Sequence, residues 1–116
     1  MGENLKGKEL KKVIKEFDFL PSFNRVIVTV NRVENKDGVI TTEDAIAGEQ
    51  YIIAAGDMAK VEAGDRVELD FGRLTVREPS EHDQTKYVER IRITPFQHKG
   101  RVYTIISDND LLGKYK

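Results

Sequence analysis

The sequence contains no cysteine and no tryptophan, and only 3 of its 116 residues are proline. Without cysteine, the chain can form neither a disulfide bond nor a thiolate metal site. No apolar run approaches the roughly 18 residues that a membrane-spanning helix requires, and the N-terminus lacks the apolar core of a signal peptide. A net charge of only -1 provides no long-range attraction to nucleic acid. Together these absences predict a soluble, cytoplasmic protein.

Motifs of catalysis and cofactor binding are also missing. The sequence has no nucleophile elbow, no phosphate-binding loop and no dinucleotide-binding glycine fingerprint, and no carboxylate pair is singled out for acid–base chemistry. His82 and His98 fall in polar sequence that predicts loops. Glu81, His82 and Asp83 are adjacent but lack the distant ligands that a metal site needs. We therefore expect no enzyme activity, no cofactor and no bound metal.

What is present is the composition of one globular domain, with 39% hydrophobic and 34% charged residues. Near the N-terminus, apolar residues recur at helical spacing while lysines occupy the other faces. This apolar set is Leu10, Val13, Ile14 and Phe17. The pattern predicts an amphipathic helix within residues 1–20, ending before Pro21. Such a helix packs on its own domain or, alternatively, docks on a partner.

From residue 25 the hydrophobic period changes to two, so Val26 and Val28 face one way and Ile27 the other. Further short strands follow, separated by turn residues; they are predicted at 51–55, 66–71, from Leu74, 88–94 and 102–106. Residues 73–90 form a hairpin around a polar loop at 78–84. Short strands with turns between them indicate an all-β barrel or sandwich.

Residues 33–44 contain Asp37-Gly38, a dipeptide typical of hairpin turns. The simpler interpretation is a plain hairpin in which Val39 and Ile40 begin the return strand. The functional interpretation is an exposed loop that presents these two apolar side chains to a partner.

Several short motifs, in their order and spacing, resemble the GroES-type co-chaperonins, the chaperonin-10 family. The resemblance covers about residues 22–116. The motifs are Asn24-Arg25-Val26-Ile27-Val28, Gly38-Val39-Ile40, Ile53-Ala54-Ala55-Gly56, the set Val61, Gly64, Asp65 and Val67, and Asp110-Leu111-Leu112-Gly113-Lys114-Tyr115.

The resemblance implies an all-β, GroES-like small β-barrel at residues 21–116, with an added N-terminal helix and an inserted hairpin. It further implies a homo-oligomer, a heptameric ring, that caps a GroEL-like chaperonin ring and assists protein folding. Gly38, Val39 and Ile40 would form the chaperonin-binding loop. The C-terminal strand would pair with the N-terminal strand of the next subunit. That interface would contain Val26, Val28, Leu111, Leu112 and Tyr115.

The sequence also departs from the family. Residues 56–64 are short where the family carries a roof hairpin, which resembles phage-encoded, roofless variants. The loop is short, and Thr41 stands where another apolar residue is expected. The alternative is therefore a structural or assembly protein, such as a phage capsid-associated virion component, that makes contacts through the helix and the hairpin. A third hypothesis, binding of single-stranded nucleic acid, would use Arg90, Arg92, Phe96 and Lys99, and the low net charge argues against it.

Overall fold

A computed structural model of the chain describes residues 4–33, 46–80, 82 and 85–116. The fold is mostly antiparallel β-structure, as expected for an all-β domain. Its elements are α1 (Gly7–Glu16), β1 (Arg25–Val28), β2 (Glu49–Ala55), β3 (Arg66–Leu69), α2 (Phe71–Leu74), β4 (Thr75–Pro79), β5 (Tyr87–Ile91), β6 (Thr94–His98), β7 (Arg101–Ser107), a 3-10 turn (Asp108–Asp110) and β8 (Leu111–Lys114). Within the described ranges, no helix has the length and apolar character needed to cross a membrane.

The main sheet has the strand order β6-β7-β1-β2-β3-β8. Its edge strands β6 and β8 do not pair with each other, so hydrogen bonding leaves the predicted barrel open. Pro95 lies in β6, a position that suits an edge strand because proline has no N–H to donate to a further strand.

Both faces of the sheet are covered, which explains why three successive residues of β1 are fully buried. Val26 and Val28 pack in one core cluster, with Ile52. Ile27 points to the opposite face, where Leu10 of α1 packs over it. The predicted alternation in β1 and the packing of the helix on its own domain are both confirmed.

Three sequence expectations about strand boundaries are wrong. Phe71 was expected to end a strand, but it begins α2, because the Asp70 carboxylate caps that turn by accepting from the Arg73 N–H at 3.3 Å. The strand predicted at 88–94 is divided into β5 and β6, where the Arg92 N–H donates to the Leu74 carbonyl at 2.6 Å. His98 lies on β6 and not in a loop.

A close backbone approach fixes the turn before β1. Phe23 has a positive φ of 58° and an exposed side chain, and the Met58 N–H donates to its carbonyl at 3.0 Å. A Cβ on Gly56 would lie 2.1 Å from the Phe23 carbonyl oxygen. Only glycine therefore allows these two segments to pack together.

Strands β4 and β5 form a separate two-stranded sheet, which we call the arm. Their register runs from Thr75 opposite Ile91 to Pro79 opposite Tyr87. Every residue of β5 is exposed. The arm therefore projects from the body at the position of the predicted hairpin, and β4 includes Glu78 and Pro79, which were expected in a loop.

Candidate functional site

The predicted binding loop, Gly38, Val39 and Ile40, lies outside the described residues. The structure does describe the chain on either side of segment 34–45. Arg32 forms an antiparallel bridge with Ile46, and the Ala47 N–H donates to the Asn31 carbonyl at 2.9 Å. The described residues on the two sides of segment 34–45 therefore lie next to each other.

A fully buried amide side chain, Gln50, holds this place together. Its Oε1 accepts from Thr29 Oγ1 at 2.6 Å and from the Asn31 N–H at 2.8 Å. Its Nε2 donates to the carbonyls of Asn31 and Ala47, each at 2.8 Å. The amide thus has partners for both donors and for the acceptor oxygen, as a buried amide requires.

Sequence reasoning did not identify Gln50 as important. The available signal was a single amide residue at the start of the apolar run 51–55. That signal is weak, because its partners are 3 to 21 residues away along the chain.

The segment preceding α1 braces the same place from outside. Asn4 Nδ2 donates to the Arg32 carbonyl and the Arg32 N–H donates to Asn4 Oδ1, both at 2.8 Å. The Leu5 N–H donates to Asn31 Oδ1 at 2.8 Å, and Asn31 Nδ2 donates to the Leu5 carbonyl at 2.9 Å. These reciprocal pairs hold residues 4 and 5 against residues 31 and 32, which precede segment 34–45. We call the assembly the braced stem; it comprises Asn4, Asn31, Arg32, Ile46, Ala47 and Gln50.

The other end of the helix is fastened to β6. His98 Nε2 lies 2.5 Å from Asp18 Oδ1, and the centres of the His98 and Phe17 rings are 4.3 Å apart. The hydrogen bond with His98, aided by the charge of Lys99, lowers the pKa of the Asp18 carboxyl. At the start of the helix, Glu9 forms an ion pair with Arg101. Helix α1, which follows residues 4–5, is therefore fixed to the sheet at both of its ends.

The predicted interface residues at the C-terminus lie on β8, which pairs with β3 of the same chain. Leu111 packs against the core, whereas Leu112 is 67% exposed. The Tyr115 hydroxyl donates to Glu68 Oε1 at 2.5 Å, and the Arg66 guanidinium lies 4.4 Å from the centre of its ring. The hydrogen bond to Glu68 raises the pKa of Tyr115.

The other two predicted interface residues, Val26 and Val28, have no accessible surface in the structure. Their strand already has β2 on one side and β7 on the other. The predicted pairing of β1 with another subunit's C-terminal strand does not fit this fold, because both edges of β1 and both of its faces are occupied within one chain. Of the predicted set, Leu112 and Tyr115 retain exposed surface.

Three of the residues predicted to bind nucleic acid already have partners within the chain. Arg90 lies 3.5 Å from Glu78 in the arm, Phe96 packs on Phe19 with ring centres 4.7 Å apart, and Lys99 lies 3.9 Å from Asp18. Among the residues with described positions, no group of three or more histidine and acidic side chains could hold a metal ion.

A scan against models of protein families gives no match to this chain. A search of curated proteins gives no significant match either.

Proposed function

We propose that this chain is a non-catalytic, co-chaperonin-like protein whose copies form a ring and present residues 38–40 to a chaperonin. The observation that supports this is the braced stem, which anchors both ends of segment 34–45 through a buried amide and reciprocal asparagine pairs. Rigid scaffolds that position a loop are typical of binding proteins.

Fixed ends matter because ordering a loop on binding costs about 1–2 kcal/mol per residue in backbone entropy. Burial of Val39 or Ile40 in an apolar groove of the chaperonin would contribute about 1.5–3 kcal/mol each. One loop of this kind binds weakly, so several copies in a ring are needed to add avidity. Any nucleotide hydrolysis would belong to the chaperonin.

Self-assembly would use the open edge of β8. This strand is the last of its sheet, and Leu112 on it is exposed. An exposed edge strand with an apolar side chain favours pairing with another chain. The proposal therefore assigns Leu112 and Tyr115 to the contact between copies, a heptamer by the resemblance.

The experiment is a pull-down of the full chain with a chaperonin ring and nucleotide, comparing wild type with Ile40→Asp. We expect Ile40→Asp to abolish binding, because a carboxylate cannot enter an apolar groove without a large desolvation penalty. Thr42→Asp is the matched control: it places the same charge in the same segment but outside the aliphatic motif, and it should bind nearly as wild type. Equal binding by Ile40→Asp and wild type would contradict the proposal.

A second candidate is a structural or assembly component, favoured by the arm, whose strand β5 is exposed along its whole length. The hydrogen bond from Arg92 to Leu74 brings the base of the arm together at 2.6 Å, so residues 75–91 can be replaced by two glycines. If this deletion abolishes recruitment to the partner assembly while Ile40→Asp does not, the second candidate replaces the first.

A further inference from the structure

A groove of about 610 Å³ lies between the residues that follow α1 and the turn that follows β2. Its wall is mainly apolar, and Phe17, Leu20 and Val61 are among the lining residues. Leu20 is 71% exposed, so part of this apolar wall is in contact with solvent. Apolar clefts of about 300–1,000 Å³ are the usual form of a binding site. The groove therefore has the size and the character of a binding site.

The exposed apolar surface continues beside the groove. Phe19 lines the groove and is 43% exposed, and Met58, which lies between two lining residues of the turn, is 65% exposed. Phe23 is also exposed, and its carbonyl accepts from the Met58 N–H at 3.0 Å. Single exposed apolar side chains are ordinary, but a group of neighbouring ones marks an interaction surface. We call the groove together with Phe19, Leu20, Phe23 and Met58 the apolar cleft.

The backbone at Phe23 is a second observation in favour of a binding surface. Its φ of 58° lies in the left-handed region, which an aromatic residue rarely adopts. The ring is 67% exposed, so burial of the ring within the chain does not explain a phenylalanine at this position. Unfavourable backbone conformations that a fold maintains are concentrated at binding and active sites. A partner that covers the ring would give this residue a function.

The charged side chains that line the groove are all carboxylates, those of Asp18, Asp57 and Glu62. Asp18 is engaged with His98 of β6. Asp57 and Glu62, both in the turn after β2, form no ion pair with any residue that the structure describes. Lys60 belongs to the same turn but does not line the groove. One side of the apolar cleft therefore carries two carboxylates that a basic group of a partner can approach.

A second copy of this chain fits the apolar cleft poorly. Contact between the same surface of two copies would place the carboxylates of both chains in one interface, where like charges oppose association. The C-terminal segment is both apolar and basic, but it is engaged with its own chain. Lys114 lies 3.6 Å from Asp65, and the Tyr115 hydroxyl donates to Glu68. The apolar cleft is therefore better suited to a different protein.

We propose that the apolar cleft binds a peptide segment of a partner protein in which apolar side chains stand next to a lysine or an arginine. The apolar side chains would lie against Leu20, Val61 and the Phe23 ring. The basic group would approach Asp57 and Glu62. Apolar burial supplies most of the affinity, and the exposed carboxylates select the charge of the partner. The site uses no residue of the proposed chaperonin-binding loop.

The test is an NMR titration of the isotope-labelled full chain with a short synthetic peptide in which leucine and lysine alternate. Two comparison peptides replace either every lysine by glutamate or every leucine by serine. We expect the leucine–lysine peptide to shift the amide signals of residues 17–20 and 53–63. Both comparison peptides should bind more weakly by about tenfold, because each lacks one of the two features that the apolar cleft recognises.

A matched pair of substitutions tests the apolar wall. Leu20→Ser removes an exposed apolar side chain of the groove, and Val102→Ser removes an exposed apolar side chain of β7 that does not line it. Leu20→Ser should weaken binding of the leucine–lysine peptide by about tenfold, whereas Val102→Ser should leave binding unchanged. Circular dichroism of each variant verifies that it is folded.

A second pair of variants tests the carboxylates. Asp57→Asn with Glu62→Gln should make the leucine–lysine and leucine–glutamate peptides bind about equally, because the groups that select the charge are gone. Glu78→Gln with Glu89→Gln removes the same number of carboxylates from the arm. This control should keep the wild-type preference for lysine.

The proposal is overturned if wild type binds the leucine–lysine and leucine–glutamate peptides equally, or if the shifted signals lie outside residues 17–20 and 53–63. Equal weakening by Leu20→Ser and Val102→Ser also overturns it. Self-association of wild type that Leu20→Ser abolishes, measured by sedimentation velocity, would assign the cleft to a second copy and overturn it as well. Ile40→Asp should bind the peptide as wild type does, so peptide binding without chaperonin binding refutes only the proposed function.

Discussion

The braced stem and the arm are both made where two antiparallel segments meet, yet they are held by different forces. The stem contains a fully buried, fully bonded amide, Gln50, while the arm depends on exposed cross-strand pairs and the Glu78–Arg90 ion pair. Buried polar networks specify one geometry, whereas each exposed cross-strand pair contributes about 0.2–1 kcal/mol. The comparison indicates that the stem positions a segment and that the arm is available for contact.

The largest expected effect is that of Gln50→Leu, which breaks the stem. Loss of the Gln50 amide leaves the Asn31 N–H and the Asn31 and Ala47 carbonyls without this partner. We therefore expect the free energy of unfolding to fall by about 2–4 kcal/mol. Urea denaturation followed by circular dichroism measures it. Val88→Ala in the arm is the comparison and should lower the free energy of unfolding by less than about 1 kcal/mol. Equal losses of stability at the two sites would show that the stem and the arm do not differ in this way.

A smaller effect is expected from Asn31→Ala, which removes the reciprocal bonds to Leu5. We expect the free energy of unfolding to fall by about 1–2 kcal/mol and hydrogen exchange at the Leu5 amide to become faster. The same substitution at exposed Asn109 is the control and should be nearly neutral. Unchanged exchange at Leu5 would show that the extension does not brace the stem.

In the arm, a double-mutant cycle between Glu78 and Arg90 should give a coupling of about 0–1 kcal/mol that declines with added salt, as for other exposed ion pairs. The variants are Glu78→Gln, Arg90→Gln and the double substitution, measured by thermal unfolding. A coupling as large as the effect of Gln50→Leu would show that the arm is held as strongly as the stem.

The smallest expected effect concerns Asp18 at the far end of α1. Its pKa is lowered in the folded protein, chiefly by the hydrogen bond with His98. A lowered carboxyl pKa contributes stability that is present above the unfolded value of 3.8 and is lost as pH falls through the folded value. Asp18→Asn should therefore reduce stability slightly at neutral pH and flatten its decline in acid. A decline in acid that is as steep in the variant as in wild type would show that the Asp18–His98 contact is not formed in solution.

Local pattern was sufficient to predict several features of the fold. The helical spacing of Leu10 and Phe17 predicts α1, and the alternation of Val26, Ile27 and Val28 predicts which side chains share a face. Both are properties of neighbouring residues, whose side-chain directions follow from the backbone period. The hairpin at 73–90 was predictable for the same reason.

The residues of the candidate site were harder to predict. The local sequence predicts a loop at His98, because its partners, Asp18 and Phe17, are about 80 positions earlier in the chain. The pairing of β8 with β3 was not predicted either, because the local sequence of an apolar strand does not indicate which other strand it pairs with.

By itself, the sequence determined the position of α1, the alternation of side chains along β1, and that thiol chemistry is impossible. Only the tertiary structure decided that β1 is buried on both faces, that β8 pairs within its own chain, and that Gln50 joins Thr29, Asn31 and Ala47. The physical reason is that burial and hydrogen-bond satisfaction are properties of residues brought together from distant positions, whereas periodicity is a property of residues that are already neighbours.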